Sequence, residues 1–218
     1  MPALIHELIS KIDNVEIIRD QIAAILAVEI ANQKALSGNL PYPSVFIERS
    51  EPWGQFLATS TPPAPPVINV WWDSSTFEAS TSNVVQRQKA EAVYNVDCYA
   101  AAPSEDVAGG GHIPGDEQAA REVQRAVRLA RNILMSGAYT YLGLRGLVWK
   151  RFPQTISMFQ PQIDNRGANR VVGARLSLQV QFNEFSPQVV GEPLETLMIE
   201  VYRAGTGQLY LRAEYPNP

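Results

Sequence analysis

Asp97, Glu91, His112 and Cys98 are the residues of this chain best suited to chemistry, and their surroundings limit what they can do. Two carboxylates and an imidazole are enough for acid–base work if the fold gathers Asp97, Glu91 and His112 into one cleft. Cys98 is the single cysteine, so no intrachain disulfide and no Cys-rich zinc site can form. It falls on the apolar side of a predicted strand and reads as packing rather than as a nucleophile. The two histidines, His6 on a helix and His112 in a Gly-rich stretch, would have to come together from distant segments to hold a metal. His112 with Asp116 makes at most a weak metal pair and reads as a solvated loop histidine. Gly110 and Gly115 have the spacing of a phosphate-binding loop, but Asp116 and Glu117 stand where that chemistry needs Lys and Ser or Thr. Two carboxylates at a helix start repel phosphate. No G-x-S-x-G elbow occurs. The residues point to no cofactor, no metal and no catalytic centre.

Two other groups suit contact rather than catalysis. Arg121, Arg125 and Arg128 stack on one side of a helix, with Arg131 at the margin. They read as a solvated face partly paired with Glu117 and Glu122, or as a subunit-contact face. A DNA-contact face is opposed by the net charge of −4. Trp71 and Trp72 are adjacent, so a strand would send their indoles to opposite faces, one into the core and the other in need of cover.

The elements that position these residues follow from periodicity. The alternation Ala174, Leu176, Leu178, Val180, Phe182 against Arg175, Ser177, Gln179, Gln181, Asn183 predicts a half-buried antiparallel strand with a helix on its apolar side. That helix is expected over Glu117 to Met135, capped by Asp116 and burying Ala119, Val123, Ala126, Val127, Ala130, Ile133 and Leu134. A first helical stretch runs from about Ala3 to Leu36, with Asp13 a break and N-cap and Gly38 a left-handed cap. Val45 to Glu48 reads as a strand, and Thr61 to Pro66 as a stiff Pro-rich connector or edge. Val67 to Trp72 is short, β-branched and aromatic, hence a strand whose partner is Ala92 to Tyr99. The polar stretch Asp73 to Lys89 between them is expected as a long projecting loop, and Ala101 to Gly115 as a second mobile loop. Leu147 to Phe152 reads as extended and Asp164 to Gly167 as a turn. Leu197 to Tyr202 and Gln208 to Glu214, around Ala204 to Gly207, predict a C-terminal hairpin. Such a hairpin is marginally stable alone and should pack on the domain or on another subunit.

With 218 residues, 45% hydrophobic and 18% charged, the chain can bury one sizeable core, and a pI near 5.3 argues against a dedicated nucleic-acid binder. The N-terminus has His6 and Glu7 among its apolar positions and reads as a helix rather than a signal peptide. No apolar run approaches the roughly 20 residues of a membrane span. The fold class is α+β, an antiparallel or mixed sheet flanked by helices. One domain spans 1–187, and an extension with the hairpin spans 188–218.

The order of helix, strand, Pro-rich connector, VINVWW, polar loop, AVYNVDCYA, EQAAREVQRAVRLARNILMS and VVGARLSLQVQFNEFSP resembles the tail terminator, or tail completion, proteins of tailed bacteriophages over about residues 1–187. The resemblance implies a structural virion protein with no catalytic residues, forming a six-membered ring at the head-proximal end of the tail. Its partners would be further copies of itself, the tail tube protein, the head–tail connector protein and, in a contractile tail, the sheath protein. Assembly would occur in the host cytoplasm. Another neck, connector or baseplate ring protein of the same particle shares such small domains and stands as the alternative. On this reading the assembly interface draws on Trp71, Trp72, Phe77, Arg121, Arg125, Arg128, Leu197, Ile199, Val201 and Tyr210, and the C-terminal hairpin engages a sheath by strand addition.

Overall fold

In the computed structural model the described residues are 12–37, 42–54, 65–79, 87–107, 111–161, 170–185, 196–202 and 209–216. Two units separate along the chain, Ile12–Ser186 and a second that holds Met1–Lys11 and Pro187–Pro218. The larger unit is an α+β fold built on a mixed five-stranded sheet.

Helix α1 spans Asn14–Ser37. A reciprocal capping box starts it: Asp13 Oδ1 accepts from the Val15 N–H at 3.3 Å, and Glu16 Oε2 accepts from the Asp13 N–H at 2.9 Å. The expected N-cap at Asp13 is present, while the helix expected before Ile12 and the cap expected at Gly38 fall outside the described residues. Strand β1 is Ser44–Ile47, β2 Val67–Phe77 and β3 Arg87–Ala102. A small antiparallel ladder follows, β4 Glu105–Val107 with β5 Gly111–Ile113. Helix α2 is Gly115–Met135, a 3-10 turn covers Gly137–Tyr139, and β6 Val148–Phe159 and β7 Arg170–Phe185 complete the sheet. Its order is β1-β2-β3-β7-β6. β1 runs parallel to β2, and the other neighbours are antiparallel.

Both helices pack on the same face of the sheet. Alternation decides which residues meet them: Tyr94, Val96 and Cys98 of β3 and Leu176, Leu178, Val180 and Phe182 of β7 are buried with Ile18, Ile22 and Leu26 of α1 and Val123, Ala130 and Leu134 of α2. Burying each such Leu, Ile, Val or Phe contributes about 1.5–3 kcal/mol. The Tyr94 hydroxyl, inside this core, donates to the Val15 carbonyl at 3.1 Å, so no donor is stranded.

Four expectations are corrected. Asp73 to Lys89 is not all loop: Ser74–Phe77 pair with Val93–Ala90, and β3 begins at Arg87. Cross-strand pairing on a sheet backed by β7 outweighs the poor strand preference of Ser and Thr-rich sequence. Ala101 to Gly115 is likewise ordered in part, with Ala101 and Ala102 in β3 and the β4–β5 ladder beyond. Asp116 does not cap α2; Pro114 holds the N-cap position, without a side-chain bond, because its extended backbone suits the entry. The stretch beginning near Leu147 continues as strand to Phe159, since its pairing with β7 absorbs Pro153 beside a bulge.

In the second unit β8 (Thr196–Tyr202) and β9 (Leu209–Pro216) pair antiparallel, which is the expected hairpin. Thr61 to Ala64 of the Pro-rich connector, Asp164 to Gly167, and Ala204 to Gly207 lie outside the described residues.

Candidate assembly interface

The sheet face away from the helices carries the polar halves of the alternating strands, and they pair across β3 and β7. Glu91 accepts from Gln181 at 2.7 Å, and Ser177 donates to Asn95 at 2.8 Å. Asp97, only 2% exposed, takes a two-pronged bond from Arg175, Nε to Oδ1 at 2.7 Å and Nη2 to Oδ2 at 2.9 Å. Its Oδ2 also accepts from the Trp71 indole N–H at 2.9 Å and the Tyr99 hydroxyl at 3.2 Å. Four donors therefore hold one carboxylate, the condition under which a buried charge is tolerated. The Arg175 guanidinium lies 4.9 Å from the Trp71 ring and 5.4 Å from Phe159. Phe159 meets Tyr99 edge to face at 5.7 Å, and Trp53 stands 5.3 Å from Tyr99. At Gly173 a Cβ would come within 2.7 Å of the Phe159 ring, so a larger residue there would push that ring aside. The Asp97 bond raises the Arg175 pKa, and burial pushes the Tyr99 phenol up.

This network overturns one expectation about the tryptophans. Neither indole joins the main core: Trp71 is half-buried against Arg175 and Asp97, and Trp72 is 42% exposed. The register gives the reason: Trp71, opposite Asn95, lies on the helix-free face, and Trp72, opposite Tyr94, stands where β2 overhangs the end of β1, next to a bulge at Ser74. Trp72 satisfies its indole N–H locally on Ser75 at 3.0 Å. Further along the same overhang Phe77 is 52% exposed and lines a depression of about 320 Å³ with Thr76, Glu91, Trp149 and Gln181. Trp149, 43% exposed, sits at a β6 bulge with the Lys89 ammonium 5.9 Å from its ring. Phe77 of β2 and Trp149 of β6, on strands separated by β3 and β7, are thus exposed aromatic side chains on the same depression, and Trp72 is exposed further along β2.

The arginine stripe stands on α2 as its spacing predicts. Arg121 pairs with Glu117 at 2.5 Å and Arg125 with Glu122 at 2.6 Å. Arg125 and the exposed Arg128 border a cleft of about 180 Å³ whose other walls are Gln33 and Tyr42 from the α1 side and Pro43 and Pro66. Leu197, Ile199 and Val201 occupy alternate positions of β8, opposite Tyr215, Ala213 and Leu211 of β9. Tyr210 lies at the register shift; the side chains of this hairpin are outside the described residues.

Asp97 and Glu91 do not form a cleft together: they lie six positions apart on β3, about 20 Å, and each is bonded to a β7 side chain. His112 is exposed on β5. Cys98 is fully buried, and burial pushes its thiol pKa up, away from nucleophilic use. Among the described residues no three His, Cys, Asp or Glu side chains gather to hold a metal, and no helix is long and apolar enough to cross a membrane.

Sequence reasoning missed the Asp97–Arg175 pair, although both sit at polar positions of alternating strands. It also missed the exposure of Trp149, which a bulge in β6 sets, and of Ile156 and Met158, which lie beyond the stretch that ends at Phe152; each is more than two-fifths exposed. Neither a protein-family model nor a curated protein sequence matches this chain.

Proposed function

We propose that this chain is a structural virion protein that forms a six-fold ring at the head-proximal end of a phage tail, ending tube growth and joining the tail to the head connector. The resemblance in element order supplies the place in the particle. The observation that carries the assembly role is the set of exposed aromatic side chains, Trp72 and Phe77 on β2 and Trp149 on β6, the last two lining one depression. β2 projects past the end of β1 as far as Phe77, and the Trp72 and Phe77 side chains on this projection are 42% and 52% exposed. Such a projection suits contact with a neighbouring subunit or the tube rim. The cleft bordered by Arg125 and Arg128 offers a second, cationic contact surface on the helix side. Further partners on this reading are the tail tube protein and, in a contractile tail, the sheath.

Mass photometry and negative-stain imaging of the purified chain, with and without added tail tubes, test the ring. The expected result is a six-fold ring of 24.1 kDa subunits, free in solution or seated on tube ends. A chain that stays monomeric in both conditions, or closes with another symmetry, contradicts it.

A further inference from the structure

β2 and β6 have outer edges that match each other. β1 pairs only with Val67–Val70, and the chain then leaves the sheet through Glu48 at a positive φ of 49°. Beyond that point β2 has a strand partner on its β3 side alone among the described residues. β6 is the last strand of the sheet, so all of Val148–Phe159 has an outer edge without a strand partner among the described residues. Such edges present N–H and C=O groups that another strand can complete, once the exposed Glu48 carboxylate that accepts from the Trp72 N–H at 3.1 Å gives way.

Direction, charge and count all favour β2 against β6 over either edge against itself. Successive antiparallel pairings make β6 run opposite to β2. A second copy set beside the first, helices on the same side, therefore brings its β2 antiparallel to the first copy's β6. β6 carries Lys150 and Arg151 and no carboxylate; the bare part of β2 carries Asp73, is followed by Glu78, and has no cation. Each strand has one irregularity in this window, between Trp72 and Ser74 and between Pro153 and Thr155, so the two stay in step. Setting Trp72 against Ile156 places Ser74 opposite Thr155, Phe77 opposite Arg151 and Glu78 opposite Lys150. Trp72 and Ile156 both stand on the helix side, where they are 42% and 45% exposed, so their contact removes apolar surface from water. The Glu78 carboxylate makes an exposed 3.6 Å pair with Lys89 and can exchange partners, while its backbone stays bonded to Lys89 and Gln88. Pro153 lacks an N–H and interrupts the ladder once.

We propose that the outer edge of β2 in one copy pairs antiparallel with the outer edge of β6 in the next, in the register Trp72 to Ile156 and Glu78 to Lys150. The contact is head to tail, so it propagates from copy to copy and closes when the rotation permits. Its closure into a ring rests on the assembly reading above.

Cysteine crosslinking of full-length chains tests it. Ser74→Cys and Thr155→Cys are at exposed positions, directly opposite across the proposed contact, where Cβ atoms about 4.5–5.5 Å apart can be bridged with a small adjustment. Buried Cys98 stays silent. Under mild oxidation the double variant should give a ladder of covalent oligomers. A mixture of the two single variants should give one dimer and stop, and neither single variant alone should crosslink. Homodimers from either single variant would overturn the head-to-tail contact, as would a double variant that stays uncrosslinked. As a second readout, Glu78→Lys or Lys150→Glu alone should slow crosslinking of the double variant and the two together restore it; full-rate crosslinking in both single swaps would overturn the register. A six-fold ring whose edges fail to crosslink would refute the edge pairing and leave the ring standing. Crosslinked edges in a protein whose loss leaves tails normal would refute the tail assignment alone.

Discussion

Removing Arg175 should expose how much the helix-free face contributes to stability. Arg175→Met keeps a long apolar stem beside Trp71 and Phe159 but takes both prongs from Asp97, which is 2% exposed and retains only the Trp71 and Tyr99 donors. Breaking a buried ion pair by deleting one partner costs about 3–5 kcal/mol. The Arg175 side chain is 36% exposed, so water can partly replace it, and the expected loss is about 2–3 kcal/mol. For a domain of this size that is a fall in Tm of about 4–12 °C. Asp97→Asn with Arg175→Met leaves a neutral amide on the same indole and phenol, and the double variant should recover at least about half of the loss, because no charge remains stranded. Urea unfolding followed by tryptophan fluorescence gives the midpoints; an unchanged m value certifies that stability rather than the unfolded state moved. An Arg175→Met loss below about 0.5 kcal/mol, or a double variant as unstable as the single, would refute the reasoning.

Arg151 binds the end of α2, donating to the carbonyls of Leu134 at 2.6 Å, Ser136 at 2.7 Å and Thr140 at 3.0 Å, while its desolvation there lowers its pKa. Arg151→Met should destabilise by about 2 kcal/mol, and Arg151→Lys should restore less than half, since one ammonium cannot reproduce the fork; paired urea midpoints check both. Phe182→Ala opens the centre of the core and should cost about 3–5 kcal/mol by the same assay. Burial raises the pKa of Cys98 and of Tyr94, so each binds its proton more tightly folded than unfolded. Their stabilisation is complete below the ordinary unfolded values, about 8.5 and 10, and falls as pH rises through them toward the higher folded values. Urea midpoints should therefore drop above about pH 8.5, and Cys98→Ala should lose less between about pH 8 and 9.5 than the parent. Trp72→Ser with Phe77→Ser should leave the urea midpoint within about 0.5 kcal/mol, as expected for exposed positions, yet abolish assembly by mass photometry.

How much could be read beforehand depended on whether local pattern or distant packing decided the element. Seven of the eight buried positions of α2 were legible because a helix with one apolar stripe has only one way to lie on a sheet. The polar/apolar alternation of Ala174 to Asn183 fixed both faces of β7 for the same reason. Ser74–Phe77 were not legible: nothing local makes Ser-Ser-Thr a strand, and the pairing partner at Ala90–Val93 supplies the drive. Thr155–Phe159 of β6 were hidden behind Pro153, whose tolerance depends on a bulge against β7. The Asp97–Arg175 pair joins residues 78 positions apart, and alternation could place each on the polar face without saying that they meet. The exposed Trp72 illustrates the same limit, since sequence sets its face but the point at which β1 stops beside β2 is set by the fold.

The most direct test of the assembly role is the length distribution of tails, by electron microscopy, in particles produced without this chain. Overlong tails or tails lacking heads, restored to uniform length by the wild-type chain and not by the Trp72→Ser, Phe77→Ser variant, are the predicted result. Tails of normal length joined normally to heads would contradict it.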